Sequence, residues 1–241
     1  MTKVFYMDFT DEQRVKSTIF YMTVSFIIYL GVYKILRKKV NVSPEYEIRL
    51  LTFFHGLFCS ICALHYVMLP ALGYYEVKSI PFRLILSNSF GYFLLDLLWC
   101  FKHGETGAMK FHHIVTVTGL IYFSFKLTQH YYILFALGIT EVTNPLLQIR
   151  WYLKFHEMRD SLAFKIIESV FIIAFFYIRV FVCTYYTYLS WTEPKYNFTG
   201  DDLFFITLGL LVGYSLSYQM FGYIMYQVKK SKNSEKVEKY E

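Results

Sequence analysis

The sequence predicts an all-α fold, a polytopic bundle of about seven transmembrane helices, with six as the alternative. Hydrophobic residues make up 56% of the chain, aromatic residues 21% and charged residues only 17%, which is too apolar for the surface of an ordinary soluble domain. Several apolar runs also reach the roughly 20 residues that a helix needs to cross a bilayer core of about 30 Å. Lipid is therefore the expected solvent.

The apolar runs are separated by segments rich in polar and turn-forming residues. The fifth run is the shortest and the most polar, which leaves the six-helix alternative open. A cleaved signal peptide has a shorter apolar centre and a small-residue cleavage site, whereas Arg37, Lys38 and Lys39 follow the first run, so we assign this run to the mature protein. The seven predicted spans are residues 17–36, 50–70, 84–101, 111–128, 131–149, 163–189 and 203–228.

The distribution of Lys and Arg predicts the orientation in the membrane, because cytoplasmic loops carry an excess of both. Alternate connections are basic, and five lysines follow the last span. We therefore expect a short lumenal or extracellular N-terminus (residues 1–16), a transmembrane domain (17–228) and a cytosolic tail (229–241), which its polar, mixed-charge composition predicts to be disordered. The Asn197-Phe198-Thr199 sequon then lies on the lumenal side, so Asn197 is a predicted glycosylation site.

Charge and cysteine usage exclude two other classes of function. The net charge of +6 comes from residues beside the apolar spans, which favours membrane orientation over nucleic-acid binding. Cys59 and Cys62 form a CxxC pair inside a continuous apolar run, without a second pair. We therefore predict buried thiols there, and neither a metal site nor a resident cofactor.

The third run carries one polar seam. Ser89, Tyr92, Asp96 and Trp99 are spaced by three, four and three residues, which places them on one helical face. Asp96 is the only carboxylate in the run. Because an ionisable group in the hydrocarbon core costs roughly 2.5 to 3.5 kcal/mol, such a residue tends to face the bundle interior and to mark a functional site.

A histidine pair begins the fourth run. His112 and His113 precede Thr116 by about one turn, and adjacent helical residues point about 100° apart. One ring is thus free to bind a substrate group, while the other ring holds the first one in place or pairs with Asp96. A carboxylate beside an imidazole suits general acid–base chemistry, and the predicted orientation places these residues near the cytosolic leaflet.

The fifth run carries a second seam, formed by Glu141, Asn144 and Gln148. Pro145 lacks an N–H, so it should kink the helix and free the carbonyl of Glu141. Arg179 in the sixth run lies further toward the lumen, and we expect Glu141 to pair with its charge.

Polar seams also serve simply to pack helices, at about 0.6 kcal/mol per hydrogen bond. This alternative applies most to Ser89, Tyr92, Asn144 and Gln148. His55 stands alone in the sequence, as do His65, His130 and His156, and we interpret all four as interfacial or packing residues.

Four segments in order resemble the TLC-domain family, which includes the ceramide synthases, a translocation-associated membrane protein and a protein linked to neuronal ceroid lipofuscinosis. Together they most resemble the branch called TLC domain-containing protein 5. The segments are RLLTFFHG at 49–56, GYFLLDLLW at 91–99, the His112-His113 pair, and EVTNPLLQIRW at 141–151.

The resemblance implies a cavity that faces the cytosol, where the ceramide synthases use a histidine pair to move an acyl group from acyl-CoA to a long-chain amine. His112 and His113 match that pair, and Asp96 matches the acidic position on the preceding helix. The synthase motif continues with further His and Asp residues, whereas this chain carries 141–151 instead. The implied role is therefore in membrane lipid metabolism or homeostasis, in the endoplasmic reticulum or another endomembrane, rather than in ceramide synthesis.

The leading hypothesis is an acyltransferase with acyl-CoA as co-substrate, in which His112 or His113 is the base or transient acyl carrier and Asp96 orients it. A non-catalytic lipid-binding sensor or chaperone is the main alternative. A seven-helix receptor is less favoured because no cysteine lies in an outer loop. The predicted substrate-binding residues are Ser89, Tyr92, Trp99, Thr116, Glu141, Asn144, Gln148 and Arg179.

Overall fold

The computed structural model describes residues 11–73, 81–126, 130–194 and 197–238. Within these ranges the chain is helical apart from short connections, and it contains no strand. The prediction of an all-α transmembrane bundle is confirmed.

Eight helices make up the described chain. α5 and α6 together form one broken crossing, Tyr131–Phe155. α2 contains a π-helical turn at Leu64–Met68, and α7 contains another at Tyr177–Val182. The helices are α1 (Asp11–Lys39), α2 (Pro44–Ala71), α3 (Phe82–His103), α4 (Gly107–Phe125), α5 (His130–Glu141), α6 (Asn144–Phe155), α7 (Leu162–Thr192) and α8 (Gly200–Glu238).

Six crossings in the described chain are long and apolar enough to span a membrane. The seventh rod, α4, is 19 residues long, which gives about 28 Å of helix at 1.5 Å per residue. It falls short in apolarity because Lys110, His112 and His113 lie in its first turns. The crossing with the least support as a membrane span is therefore the fourth, whereas we expected it to be the fifth.

The helices extend beyond the predicted apolar runs because polar capping residues begin and end them. α2 begins at Pro44 rather than at residue 50, since the side chain of Ser43 accepts a hydrogen bond from the Tyr46 N–H at 3.0 Å and proline suits the first helical position. Glu47 is fully buried and accepts hydrogen bonds from Arg37 at 2.8 Å and from the Val42 N–H at 2.9 Å. These bonds fix the turn between α1 and α2.

The two ends of the chain also differ from the prediction. α1 begins at Asp11, so the predicted N-terminal segment 1–16 is helical from residue 11, and its first ten residues lie outside the described chain. α8 continues to Glu238, where we expected disorder from residue 229, and residues 239–241 are not described. No Gly or Pro follows Gly222, and Lys and Glu favour helix.

The helices pack as a closed ring, and one helix, α1, lies outside it. Going round, α2 packs on α3, α3 on α4, α4 on α8, α8 on α7, and α7 on the α5–α6 crossing, which returns to α2. α1 packs mainly against α3 from the outside. The ring encloses the space in which a candidate site must lie.

Candidate functional site

The turn between α3 and α4 aligns the polar seam of α3 with the histidine pair of α4. α3 ends at Gly104, which has the left-handed φ of 74°, and the Thr106 side chain caps α4 by accepting from the Met109 N–H at 3.3 Å. In such an antiparallel hairpin, residues equally far from the turn face each other. Asp96 lies eight residues before Gly104, and His113 lies eight residues after Glu105. The two side chains therefore face each other across the hairpin.

Asp96 and His113 form the centre of a buried polar cluster. His113 Nε2 lies 3.4 Å from Asp96 Oδ2, and the His113 ring is buried. The Tyr92 hydroxyl lies 2.9 Å from the same Asp96 oxygen and 2.9 Å from Thr52 Oγ1 on α2. The structure therefore assigns His113 as the histidine that pairs with Asp96.

His112 faces the other way. The centres of the His112 and His113 rings lie 5.1 Å apart, and His112 lines a cavity between neighbouring helices of the ring. Its Nδ1 is buried without a hydrogen-bond partner. The two neighbouring histidines thus belong to different environments.

The cavity has a volume of about 220 Å³ and lies between α4, α5, α7 and α8. Most of its wall is apolar, with side chains such as Leu120, Phe123, Ile133, Leu137 and Phe205. The polar groups near one end are His112, Thr116, Thr140 and Arg179. The result is an apolar pocket with a polar end.

The cavity occupies the half of the bundle opposite the one we predicted. Its apolar end is lined by Phe123 at the end of α4, Tyr132 at the start of α5 and Phe205 near the start of α8. The orientation predicted from the Lys and Arg distribution would make these the lumenal ends of the helices. His112 and Arg179 then form the end that reaches toward mid-membrane.

Aromatic side chains pack α2 against α6 at the other end of the bundle. The Tyr46 ring lies 5.0 Å from the Tyr152 ring and 5.4 Å from the Phe155 ring, and Trp151 stacks on Phe155 at 5.1 Å. Arg49 lies over Trp151 at 4.7 Å. The contacts of Tyr46 pack α2 against α6, and the opening of a cavity toward the cytosol stays a prediction.

Arg179 contacts the backbone instead of pairing directly with Glu141. It is 8% exposed and lies in the π-helical turn of α7. Its Nη2 donates to the Thr140 carbonyl at 3.0 Å, while Glu141 accepts from the Asn144 side-chain amide at 2.6 Å. Glu141 and Arg179 still interact through their charges, as predicted, but without a direct contact. The end of α5 leaves carbonyls without intrahelical donors, and Arg179 binds one of them. The Nε of Arg179 is buried without a partner.

The predicted break at Pro145 is confirmed. α5 ends at Glu141, α6 begins at Asn144, and Pro145 lies in the first turn of α6. A Cβ at Gly56 would lie 2.9 Å from Asn144 Cβ and 3.2 Å from the Glu141 carbonyl oxygen. The irregular backbone is therefore covered by α2, which only a glycine allows at this approach.

Of the other predicted substrate-binding residues, Ser89 and Gln148 contact α2, whereas Trp99 stacks on a residue of its own helix. Ser89 Oγ lies 3.5 Å from Cys59 Sγ, Trp99 stacks on His103 at 4.4 Å, and Gln148 accepts from Arg49 at 3.2 Å. Of the predicted set, His112, Thr116 and Arg179 line the cavity.

His55 is the residue that the sequence interpretation most underestimated. It is 1% exposed, stacks on Tyr92 at 4.0 Å, and its two ring nitrogens lie 3.4 Å from Cys59 Sγ and 3.5 Å from the Tyr29 hydroxyl. It packs, as predicted, but it does so within the polar cluster that supports Asp96. His55 and Cys59 are four residues apart, which places them on one face of α2. This spacing was the sequence pattern that could have indicated the cluster.

A second polar cluster ties α4 to α8 at the apolar end of the cavity. Lys126 Nζ lies 2.5 Å from Asp202 Oδ1, 2.7 Å from Thr199 Oγ1 and 2.8 Å from the Tyr122 hydroxyl. Burial alone would lower the pKa of Lys126, but the hydrogen bonds to Asp202 and Tyr122 outweigh burial and raise it. We call these four residues the Lys126 clamp. The nearby Asn197 is exposed and has a φ of 48°, and its glycosylation stays a prediction.

Comparison with known proteins places this geometry in a family. The family model of the TLC domain matches residues 12–228, nearly the whole chain. No solved structure matches the chain. The members of this family are membrane proteins linked in general to lipid metabolism and homeostasis. With its ring of apolar helices and its match over residues 12–228, the chain belongs to the TLC-domain family.

Proposed function

We propose that this protein acts in membrane lipid metabolism or homeostasis by holding one acyl chain in the cavity, with the carbonyl or head-group end at His112 and Arg179. The observation that carries the proposal is the cavity itself. Its walls are mostly apolar, and near its polar end His112 Nδ1 and Arg179 Nε are buried without a partner in the described part of the chain. Ligand pockets typically combine apolar walls with a few convergent polar groups.

The polar end has to supply the selectivity. Lipid tails are as apolar as the cavity wall, so moving an acyl chain from the bilayer into the cavity yields little hydrophobic gain. A hydrogen bond or charge contact to an otherwise unpaired buried group does discriminate between ligands. His112 and Arg179 are therefore the residues that choose a carbonyl, carboxylate or phosphate group over a plain hydrocarbon.

The histidine pair supports an acyltransferase as the finer proposal, with acyl-CoA as co-substrate. His112 lies in the cavity and is the candidate base or transient acyl carrier. Asp96 contacts His113, so His113 and Asp96 are positioning residues that hold the start of α4. The four motifs also support placement in the TLC domain-containing protein 5 branch.

Quantitative lipid mass spectrometry tests this function. Cells that lack the gene are restored with the wild type, with His112→Ala, or with His156→Ala as the matched control, because His156 is exposed after α6. We expect the wild type and His156→Ala to restore one lipid class, and His112→Ala to fail at equal protein level. Restoration by His112→Ala would contradict a role for this ring.

The non-catalytic sensor or chaperone is the second candidate. The observation in its favour is the separation of the two histidines, because the Asp96–His113 pair faces another helix interface rather than the cavity. A sensor would carry a bound lipid on purification and would convert none of it. Incubation of the purified protein with acyl-CoA and membrane lipids distinguishes the two, since an acyltransferase releases free CoA and a sensor does not.

A further inference from the structure

Three potential metal ligands meet at the interface of α3 and α4. Asp96 and Cys100 lie one helical turn apart on α3, and His113 faces them from α4. A carboxylate oxygen, the thiol sulfur and an imidazole nitrogen all lie within 4.8 Å of one another. Cys100 belongs to none of the site patterns predicted from the sequence, although it lies four residues after Asp96. Only the hairpin brings His113 to both.

The donor set suits zinc. Cys sulfur, His nitrogen and Asp oxygen are all common zinc ligands, and sites with three protein ligands leave a fourth position for water or substrate. Two ligand atoms about 2.0 Å from one tetrahedral ion lie roughly 3.3 Å apart. The separation of His113 Nε2 and Asp96 Oδ2 is 3.4 Å.

The protein alone satisfies these groups poorly. The His113 ring is 4% exposed. The 3.4 Å contact of its Nε2 with Asp96 is longer than a normal N–H to oxygen hydrogen bond. Cys100 is a free, buried thiol that is 3% exposed. An ion bound between the three side chains would give each of them a partner.

Charge balance points the same way. A carboxylate inside a transmembrane bundle is costly unless its charge is compensated, and in the described chain His113 is the one ion-pair partner within reach of Asp96. A thiolate, a carboxylate and a neutral imidazole around a divalent ion sum to zero charge. The Tyr92 hydroxyl, 2.9 Å from Asp96, would orient the carboxylate from outside the coordination sphere.

We infer that Asp96, Cys100 and His113 form a binding site for a divalent metal ion of the zinc type. The site lies beside the cavity and shares no ligand with it, since His112 lines the cavity and His113 does not. Metal content is measured without any lipid. The metal site can therefore be refuted while the proposed lipid function stands, and the reverse.

The first test is elemental analysis of full-length protein purified in detergent without chelators. We expect about one zinc ion per chain in the wild type, and a loss of roughly tenfold or more in Cys100→Ser and His113→Ala. Cys62→Ser is the matched control, because Cys62 is also a buried thiol but lies on α2 outside the cluster. Zinc retained equally by Cys100→Ser and Cys62→Ser would overturn the proposal.

A second measurement needs no variant that might fail to fold. Wild-type protein is stripped with a chelator and loaded with Co²⁺, which gives an intense thiolate charge-transfer absorption when a cysteine is a ligand. We expect this band, and we expect added zinc to remove it. A wild type that binds no zinc when equilibrated with it, or that shows no thiolate band with cobalt, would refute the site.

Discussion

The rings of His112 and His113 lie 5.1 Å apart, yet they serve different parts of the protein. His112 lines the cavity, whereas His113 faces Asp96 across the hairpin of α3 and α4. The helical offset of adjacent residues produces this division. A histidine pair in this setting is thus one ligand-facing group and one positioning group, rather than two equivalent bases.

The Tyr92 hydroxyl should stabilise the bundle through its contacts with Asp96 and Thr52. Tyr92→Phe removes the hydroxyl and leaves the buried Asp96 with fewer partners, so we expect a loss of about 1 to 3 kcal/mol in the free energy of unfolding. Thermal unfolding in detergent measures it, with Tyr218→Phe as control because Tyr218 is 80% exposed. Equal melting temperatures for the two variants would show that the Tyr92 contacts contribute nothing.

A charge swap between Glu141 and Arg179 should not restore protein lost by either single change. Arg179 donates to the Thr140 carbonyl and Glu141 accepts from Asn144, so each exchanged side chain would lose its hydrogen-bond partner. Size-exclusion profiles of detergent extracts compare Glu141→Arg, Arg179→Glu and the double variant. A monodisperse double variant beside two aggregated single variants would indicate a direct ion pair after all.

The Lys126 clamp should stabilise the junction of α4 and α8. Lys126→Gln leaves the fully buried Asp202 without its cation, so we expect a lower melting temperature, at roughly 2 to 4 °C per kcal/mol lost. Lys16→Gln is the control, because the pair of Lys16 and Glu12 is exposed and such pairs contribute little. An unchanged melting temperature for Lys126→Gln would mean that the clamp is not stabilising.

The same clamp has a defined pH dependence. Because the pKa of Lys126 is raised in the folded protein, its stabilisation is fully present below the ordinary lysine pKa of about 10.4 and is lost as pH rises through the raised value. The difference in melting temperature between the wild type and Lys126→Gln should therefore stay constant between about pH 6 and 9. A difference that shrinks within this range would contradict the assignment.

Glycosylation tests the predicted orientation. Asn197 is exposed in the connection between α7 and α8, and a sequon there is modified only if this side faces the lumen. We expect a mobility shift that a glycosidase removes and that Asn197→Gln abolishes. A sequon placed in the α8 tail should stay unmodified, and its modification would reverse the orientation.

Features that depend on one helix at a time could be predicted from the sequence. Apolar runs identified the crossings, Pro145 identified the break after Glu141, and the polar seam on α3 brought Asp96 to a histidine. Helix ends were predicted too short because hydropathy does not register capping residues such as Ser43.

Features that depend on packing between helices could not be predicted. The cavity lies where side chains of different helices do not meet, whereas elsewhere in the bundle Tyr46 of α2 contacts Tyr152 of α6 at 5.0 Å. The partner of Arg179 is a backbone carbonyl exposed by a helix end, which no residue pattern encodes. Cys100 lies one turn from Asp96 on α3, but only the hairpin brings His113 to both of them.

Occupancy of the cavity by an acyl chain tests the central claim most directly. Membranes that contain the wild type, Gly209→Leu or Gly222→Leu are labelled with a photoreactive, clickable fatty acid. Gly209 lines the cavity, Gly222 lies further along α8, and an added Cβ would meet no atom within 4 Å at either position. We predict labelling of peptides from α4, α5, α7 and α8 in the wild type and in Gly222→Leu, and a several-fold loss in Gly209→Leu. Equal labelling of all three proteins, or labels confined to the outer faces of the bundle, would contradict the account.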